Sequence, residues 1–344
     1  MKILIIGGTG LISTAIVNEL LDRKEDITLY NRGVTPSRIS GEIKHIYGNR
    51  WDYAIFEKEM QKHTFDAVID MIAFDPENAR SLLRAFSGRV KQIIVCSTVC
   101  VYGGPLSTLP ATENEPHHPV TTYGKNKSAI ESILLDRNGQ AGLYTTVIRP
   151  SYTTGEGADY PGLLFDNSLP DRLKKGLPVI IMNPGNIPWA ISHVSDVAKA
   201  FVNALHNPKT YGQAYHVTSN EHTTWNGIFT AMAQSVGGKF NPVPIPVDWL
   251  YLHAPRRSLG IKSIYQYPSI FDNSKAMQDL KFQTTISLVE TFRRQFEWMN
   301  QFGKTKKSSE DPFEDIMIQA YQSQKKPPIT PDMDFNPWGN LTTN

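Results

Sequence analysis

Tyr123 and Lys127 stand four residues apart in Tyr123-Gly124-Lys125-Asn126-Lys127, on one face if a helix runs on through Ile130, Ile133 and Leu134. A free phenol has a pKa near ~10 and is a poor base at neutral pH unless a neighbouring positive charge stabilises the phenolate. The Lys127 ammonium answers that need, so the pair is suited to moving a proton to or from a substrate oxygen. Helices carry Tyr and Lys at this spacing by chance, and position gives the pair its meaning. Upstream, Ile93-Ile94-Val95-Cys96 reads as a strand ending in Ser97-Thr98-Val99-Cys100-Val101-Tyr102-Gly103. Those hydroxyls fall at the carboxyl edge of a sheet, where open α/β folds bind ligands, and the two segments are expected to converge.

A second constellation lies at the start of the chain. Ile3 to Ile6 is a continuous apolar run, as in a parallel strand buried on both faces, and it leads into Gly7-Gly8-Thr9-Gly10-Leu11-Ile12-Ser13. From Ile12 the spacing of Ala15, Ile16, Leu20 and Leu21 becomes helical. Strand, glycine turn and helix in that order let a pyrophosphate approach bare backbone and meet the unpaired amides of a helix start. This is the dinucleotide fingerprint of a Rossmann unit, with Ser13 where a third glycine commonly packs helix on strand. A plain tight turn is the competing reading.

Twenty residues past Gly10, Tyr30-Asn31-Arg32-Gly33 stands where an acid usually reads the adenosine ribose. Without a carboxylate there, Asn31 and Arg32 favour NADP over NAD, because a guanidinium attracts a 2′-phosphate that an acid would repel. A solvated surface arginine is the alternative for Arg32. Arg50 is a second candidate near the adenine end, with Asp52 placed to hydrogen-bond there.

The rest of the chain must position these groups. Runs at Ile27 to Tyr30, Ala67 to Met71, Gln92 to Cys96 and Thr145 to Ile148 alternate with helical stretches, which implies a parallel sheet. The expected fold class is α/β: a Rossmann doubly wound parallel sheet over 1–150, then a smaller C-terminal α+β substrate domain over 151–300, some of whose elements return to the sheet. Residues 301–344, polar and Pro-rich, read as an arm or tail. With 344 residues at a net charge of +2, 40% hydrophobic and 20% charged, the composition excludes a disordered chain and a small disulfide scaffold. It gives no footprint for nucleic acid or an anionic membrane. Two cysteines, Cys96 and Cys100, suit a reducing compartment, and the short first apolar run is no signal peptide, so a cytoplasmic location is expected. Neither His117-His118 nor any other His or Cys grouping has metal-ligand spacing, and no metal is expected.

Taken together, the glycine turn, Ser97 to Gly103, Tyr123 with Lys127, Arg149-Pro150, His193-Val194-Ser195-Asp196-Val197-Ala198 and Asp272-Asn273-Ser274-Lys275-Ala276 resemble the extended short-chain dehydrogenase/reductases of the NAD(P)-dependent epimerase/dehydratase family. The resemblance runs to about Asn300. It implies that Tyr123 is the general acid/base, that Lys127 lowers its pKa and holds the nicotinamide ribose, and that Thr98 hydrogen-bonds the reacting oxygen, with Ser97 as second choice. It also implies that Pro150, Ser151 and Tyr152 lie by the nicotinamide, with Met71, Ile72 and Ala73 along the cofactor beside Gly7, Thr9, Gly10, Leu11 and Ile12. Cys100 falls at the substrate pocket edge.

The resemblance also bears on the reaction. Relatives that dehydrate a sugar carry an acidic pair after the threonine, where this chain has Val99-Cys100, so dehydration is disfavoured. Relatives acting on nucleotide sugars carry an arginine four residues before the motif histidine, where this chain has Trp189. An indole offers one N–H and cannot replace a guanidinium on a diphosphate. Trp189 is free to stack on a substrate ring or to be buried in the small domain; Arg256 and Arg257 are possible substitutes for the missing cation. Carbonyl reduction or epimerisation of a secondary alcohol on a sugar-like small molecule follows, with no nucleic acid or membrane partner and with homodimerisation open. Two alternatives stand beside it: a nucleotide-sugar epimerase that retains NAD, and a non-catalytic cofactor- or RNA-binding protein like the chloroplast relatives that share the Asn-Arg-Gly turn.

Overall fold

A computed structural model of the chain describes residues 1–35, 38–39 and 41–336. Its first half alternates β1 (Lys2–Ile6), α1 (Leu11–Asp22), β2 (Asp26–Asn31), β3 (Lys44–Tyr47), α2 (Tyr53–Met60), β4 (Ala67–Asp70), α3 (Pro76–Phe86), β5 (Gln92–Cys96), α4 (Thr122–Leu135) and β6 (Tyr144–Pro150). There follow β7 (Tyr152–Thr154), α5 (Leu169–Lys175), β8 (Pro178–Met182), β9 (Pro188–His193), α6 (Val194–Ala204), β10 (Gln213–Val217), β11 (His222–Thr224) and α7 (Trp225–Ser235). The last elements are β12 (Asn241–Ile245), α8 (Val247–His253), α9 (Ser274–Leu280), α10 (Leu288–Gln301) and α11 (Phe313–Gln322).

Seven strands form one sheet in the order β10-β6-β5-β4-β1-β2-β3, every neighbouring pair parallel. This is the α/β class expected from the sequence. The order reverses between β1 and β4, and the crevice beyond their carboxyl ends is where a doubly wound sheet takes its ligand. Ile3, Leu4, Ile5 and Ile6 are all fully buried, because helices cover both faces: Ile3 and Ile5 pack with α1 and α6, and Leu4 and Ile6 with α2 and α3. Gly7 follows at φ +108°, a conformation that side chains rarely adopt, and turns the chain into α1.

The second half builds a smaller unit from the three-stranded β11-β9-β7 sheet and the parallel β12-β8 pair. Its core joins Leu169 and Leu173 of α5, Ile228, Phe229 and Met232 of α7, and Phe292 and Phe296 of α10. The C-terminal stretch departs from the expected tail. Phe313, Met317 and Ile318 of α11 are buried in that same core, the Glu314 carboxylate accepts from Ile180 N at 2.7 Å, and Asp315 pairs with Arg172 at 2.5 Å. A ten-residue helix is marginal alone, and here packing supplies its stability. The part of the expected arm beyond 336 lies outside the described residues.

Candidate active site

Two cavities meet at the carboxyl edge of the sheet. The first, about 590 Å³, is a groove walled by the glycine turn, the β2 tip, Met71 and Ile72 after β4, Cys96 to Thr98 after β5, and Tyr123 and Lys127 of α4. The second, about 670 Å³, lies between α4 and the small unit, and its wall includes the rings of Tyr152, Phe165, Trp189, Tyr265, Tyr267 and Phe271 among small polar and apolar residues. Leu11, Phe74, Thr98, Tyr123, Ser151 and Thr153 line both. They form the partition between them.

The groove fits a dinucleotide. A Cβ on Gly7 would stand 3.1 Å from Ile72, and φ is positive at Gly7 and Gly8, so the turn is bare backbone by necessity. Gly10 caps α1, its N–H donating to Ser13 Oγ at 2.8 Å, and no acid in the first turn offsets the helix's positive end. Thr9, Leu11 and Ile12 line the groove beside it. Asn31 braces the β2 tip, donating to Gly7 O at 3.2 Å and accepting from Gly33 N at 2.9 Å. Arg32 is exposed at the groove's rim, and no Asp or Glu lines the groove among the described residues.

Thr121 caps α4 by accepting from Gly124 N, and the helix runs through Tyr123 and Lys127 as the spacing predicts. Tyr123 is half-buried, with Thr98 as a hydrogen-bonding neighbour; burial and the nearby Cys100 and Cys96 thiols push the phenol well above its usual pKa, and Thr98 works against that rise. Lys127 is 1% exposed, donates to Cys96 O at 2.6 Å and lies 5.7 Å from the centre of the Tyr123 ring. Burial pushes its pKa down, against the pull of the Cys96 thiol, Asp70 and Glu131. Thr98 is extended at φ −165°, and its hydroxyl accepts from Cys100 N at 3.1 Å. The segments from β5 and α4 therefore converge.

Several expected site residues sit elsewhere. The Arg50 side chain borders the groove but is spent inward: its guanidinium donates to Asn78 O at 2.6 Å and Ser81 Oγ at 3.3 Å, lies 3.5 Å from Asp70 and covers the Phe56 ring at 4.2 Å. Asp52 is not in the groove wall; it caps α2, accepting from Ile55 N at 3.3 Å. Ser97 lines the groove, but its hydroxyl donates to Glu131, which Arg149 holds through Nη2 at 2.5 Å. Ala73 is fully buried behind the wall. Pro150 and Ser151 line the groove, whereas Tyr152 faces the second cavity, where burial pushes its pKa up to about 12.

Cys100 lines the second cavity, and burial raises its thiol pKa, which leaves it without thiolate character. Trp189 is both buried and on that cavity wall, 5.0 Å from the Trp225 ring and 5.4 Å from the Tyr265 ring. Arg257 is no free cation. Its guanidinium is 1% exposed, donates to Leu164 O at 2.7 Å and Asp311 at 3.3 Å, and is stacked between Phe313 and Phe335. Arg256 is exposed and outside the cavity wall.

Phe74 was not foreseen. It faces both cavities and lies 4.7 Å from Lys127 Nζ, yet a lone Phe in a loop carries no sequence signal. Tyr265, the last residue of the short π-helical Ile261–Tyr265, and Tyr267 just after it also wall the second cavity and belong to no apolar period.

A parallel seven-stranded sheet with a glycine turn at its switch point and a Tyr-Lys pair beside it defines an NAD(P)-binding oxidoreductase or epimerase of extended short-chain type. Residues 3–218 match the model of the NAD dependent epimerase/dehydratase family, and the chain belongs to that family. It is 26% identical over 250 residues to 2'-dehydrokanamycin reductase of Streptomyces kanamyceticus, a match covering 72% of this chain and 70% of the reductase. It is 29% identical over 249 residues to the chloroplast stem-loop binding protein of 41 kDa b of Arabidopsis thaliana, covering 69% of this chain and 63% of that one. Among solved structures, UDP-glucose 4-epimerase of Thermotoga maritima with UDP-glucose superposes with a TM-score of 0.73 at 22% identity, over 88% of this chain and 99% of the epimerase. No helix among the described residues is long and apolar enough to cross a membrane.

Proposed function

We propose that the chain reduces a carbonyl, or epimerises a secondary alcohol, on a sugar-like small molecule, with Tyr123 as the proton-transferring group. The observation that carries this reading is the partition: Tyr123 and Thr98 face the dinucleotide groove on one side and the aromatic cavity on the other. A bound dinucleotide supplies or takes up the hydride. Tyr123 OH gives its proton to the substrate oxygen in reduction and takes it back in oxidation. Thr98 Oγ1 hydrogen-bonds the same oxygen. Lys127 lies one helical turn along from Tyr123 on the groove wall, where its ammonium would favour the phenolate and would hold the ribose of a bound dinucleotide.

The same reading prefers NADP, because the groove rim carries Arg32 and its described lining has no carboxylate to repel a 2′-phosphate. The chain's similarity to 2'-dehydrokanamycin reductase supports reduction over epimerisation. Its similarity to the chloroplast stem-loop binding protein is the reason to assay RNA in parallel. The test is Tyr123→Phe: dinucleotide affinity measured by titration stays within a few-fold, while turnover of ketone substrates is lost. Full turnover in that variant rejects the assignment.

A further inference from the structure

The cavity on the far side of the partition from the groove has an unusual charge inventory for a site that would hold a nucleotide-linked sugar. Lys125 and Asp159 are the only charged residues on its wall among the described residues, and they cancel. Lys125 is exposed, and Asp159 already has Lys304 at 3.8 Å. A diphosphate carries two or more negative charges and needs several convergent cationic donors, of which bidentate guanidinium is the strongest. Arg256 lies outside this wall, and Arg257 and Arg38 each pack against an aromatic ring. Arg257 is stacked between two rings and bonded to Asp311 and to backbone carbonyls. Arg38 packs against the Gly157 backbone and lies 5.4 Å from the centre of the Trp298 ring.

What the wall offers instead is ring faces. The Tyr265 ring packs against Trp189 at 5.4 Å and against Tyr152 at 6.1 Å between centres, and Phe271, Tyr267 and Phe165 add further aromatic surface. The Trp189 indole N–H is buried without an acceptor among the described residues, in a wall otherwise suited to apolar contact. Aromatic walls hold ligands that present C–H or π faces, and they do not compensate an anion.

We infer that the second cavity binds an uncharged, ring-containing substrate through aromatic stacking and excludes substrates linked to a diphosphate. This rests on the oxidoreductase reading above and narrows its substrate class. The test uses the full chain loaded with NADPH, a state in which an alcohol cannot be oxidised, titrated by calorimetry with phenyl β-D-glucopyranoside, UDP and UDP-glucose. Phenyl glucoside is expected to bind in the millimolar range or tighter, and the two uridine compounds not at all at 5 mM, on the order of a tenfold discrimination or more. Tyr267→Ala, whose ring is only half-buried, is expected to weaken phenyl glucoside about tenfold while leaving NADPH affinity unchanged. Binding of either uridine compound, or failure of phenyl glucoside to bind, overturns the inference. Failure of both NADPH and NADH to bind overturns the underlying function instead, so the two failures are distinguishable.

Discussion

Gly124 lies so close to Cys100 that a Cβ on it would stand 2.5 Å from the Cys100 carbonyl oxygen. The first turn of α4 thus rests on the backbone that follows Thr98, and this close approach sets the distance between Tyr123 and Thr98. Gly124→Ala is expected to cost about 1–3 kcal/mol of stability by overpacking, read from the urea midpoint. Ketone turnover is expected to fall at least about tenfold while NADPH affinity holds, since a small misplacement of reacting groups is costly. Wild-type turnover in this variant would show that the approach does not position the phenol.

The pH dependence follows from the Tyr123 environment. Burial raises the phenol pKa, so the protonated acid persists through neutral pH. With Tyr123 as the proposed acid, reduction should be flat from pH 6 to 8 and decline only at higher pH, whereas oxidation of the alcohol should rise about tenfold per unit over that range. Lys127→Met removes the cation beside the phenolate and should depress oxidation further. Opposite slopes in initial-rate profiles would reject Tyr123 as the titrating group.

Arg32 stands exposed at the groove rim. A charge-assisted contact with a 2′-phosphate contributes about 1.5–3 kcal/mol, so Arg32→Ala should weaken NADPH about 10- to 100-fold and leave NADH nearly unchanged. Equal losses for both dinucleotides, by fluorescence titration, would remove the phosphate role.

His216 ties stability to acid. Burial, with Arg149 next to it, lowers its pKa to about 3, while Tyr102 OH lies 2.6 Å from its Nε2. A folded-state pKa below the unfolded value of ~6.5 means that the stabilisation is complete above pH 6.5 and is lost as pH falls toward 3, at up to about 1.4 kcal/mol per unit. His216→Gln should flatten the decline in urea-derived stability between pH 6.5 and 4. An unchanged slope assigns the acid lability elsewhere.

Much of the site was legible because its parts are local. Strand, glycines and helix at 3–22 declare themselves by a change of period, and Tyr123 and Lys127 by their spacing. Residues whose partners are distant misled. Arg50 reads as a groove cation until Asp70, Asn78 and Ser81 fold around it. Ser97 reads as a free hydroxyl until Glu131 arrives from the same helix as Tyr123. The stripe Phe313, Met317, Ile318 was present in the sequence, but ten residues between Lys-rich and Pro-rich segments resemble a tail unless the waiting core is known.

The partition carries a further consequence. Thr98, Tyr123, Phe74 and Ser151 are a party wall, and an occupant on one side restricts how those side chains can settle for a neighbour on the other. Affinities across such a wall are reciprocally linked. An inhibitor held against it from the aromatic chamber should therefore change the dinucleotide's affinity, and the dinucleotide should change the inhibitor's by the same factor.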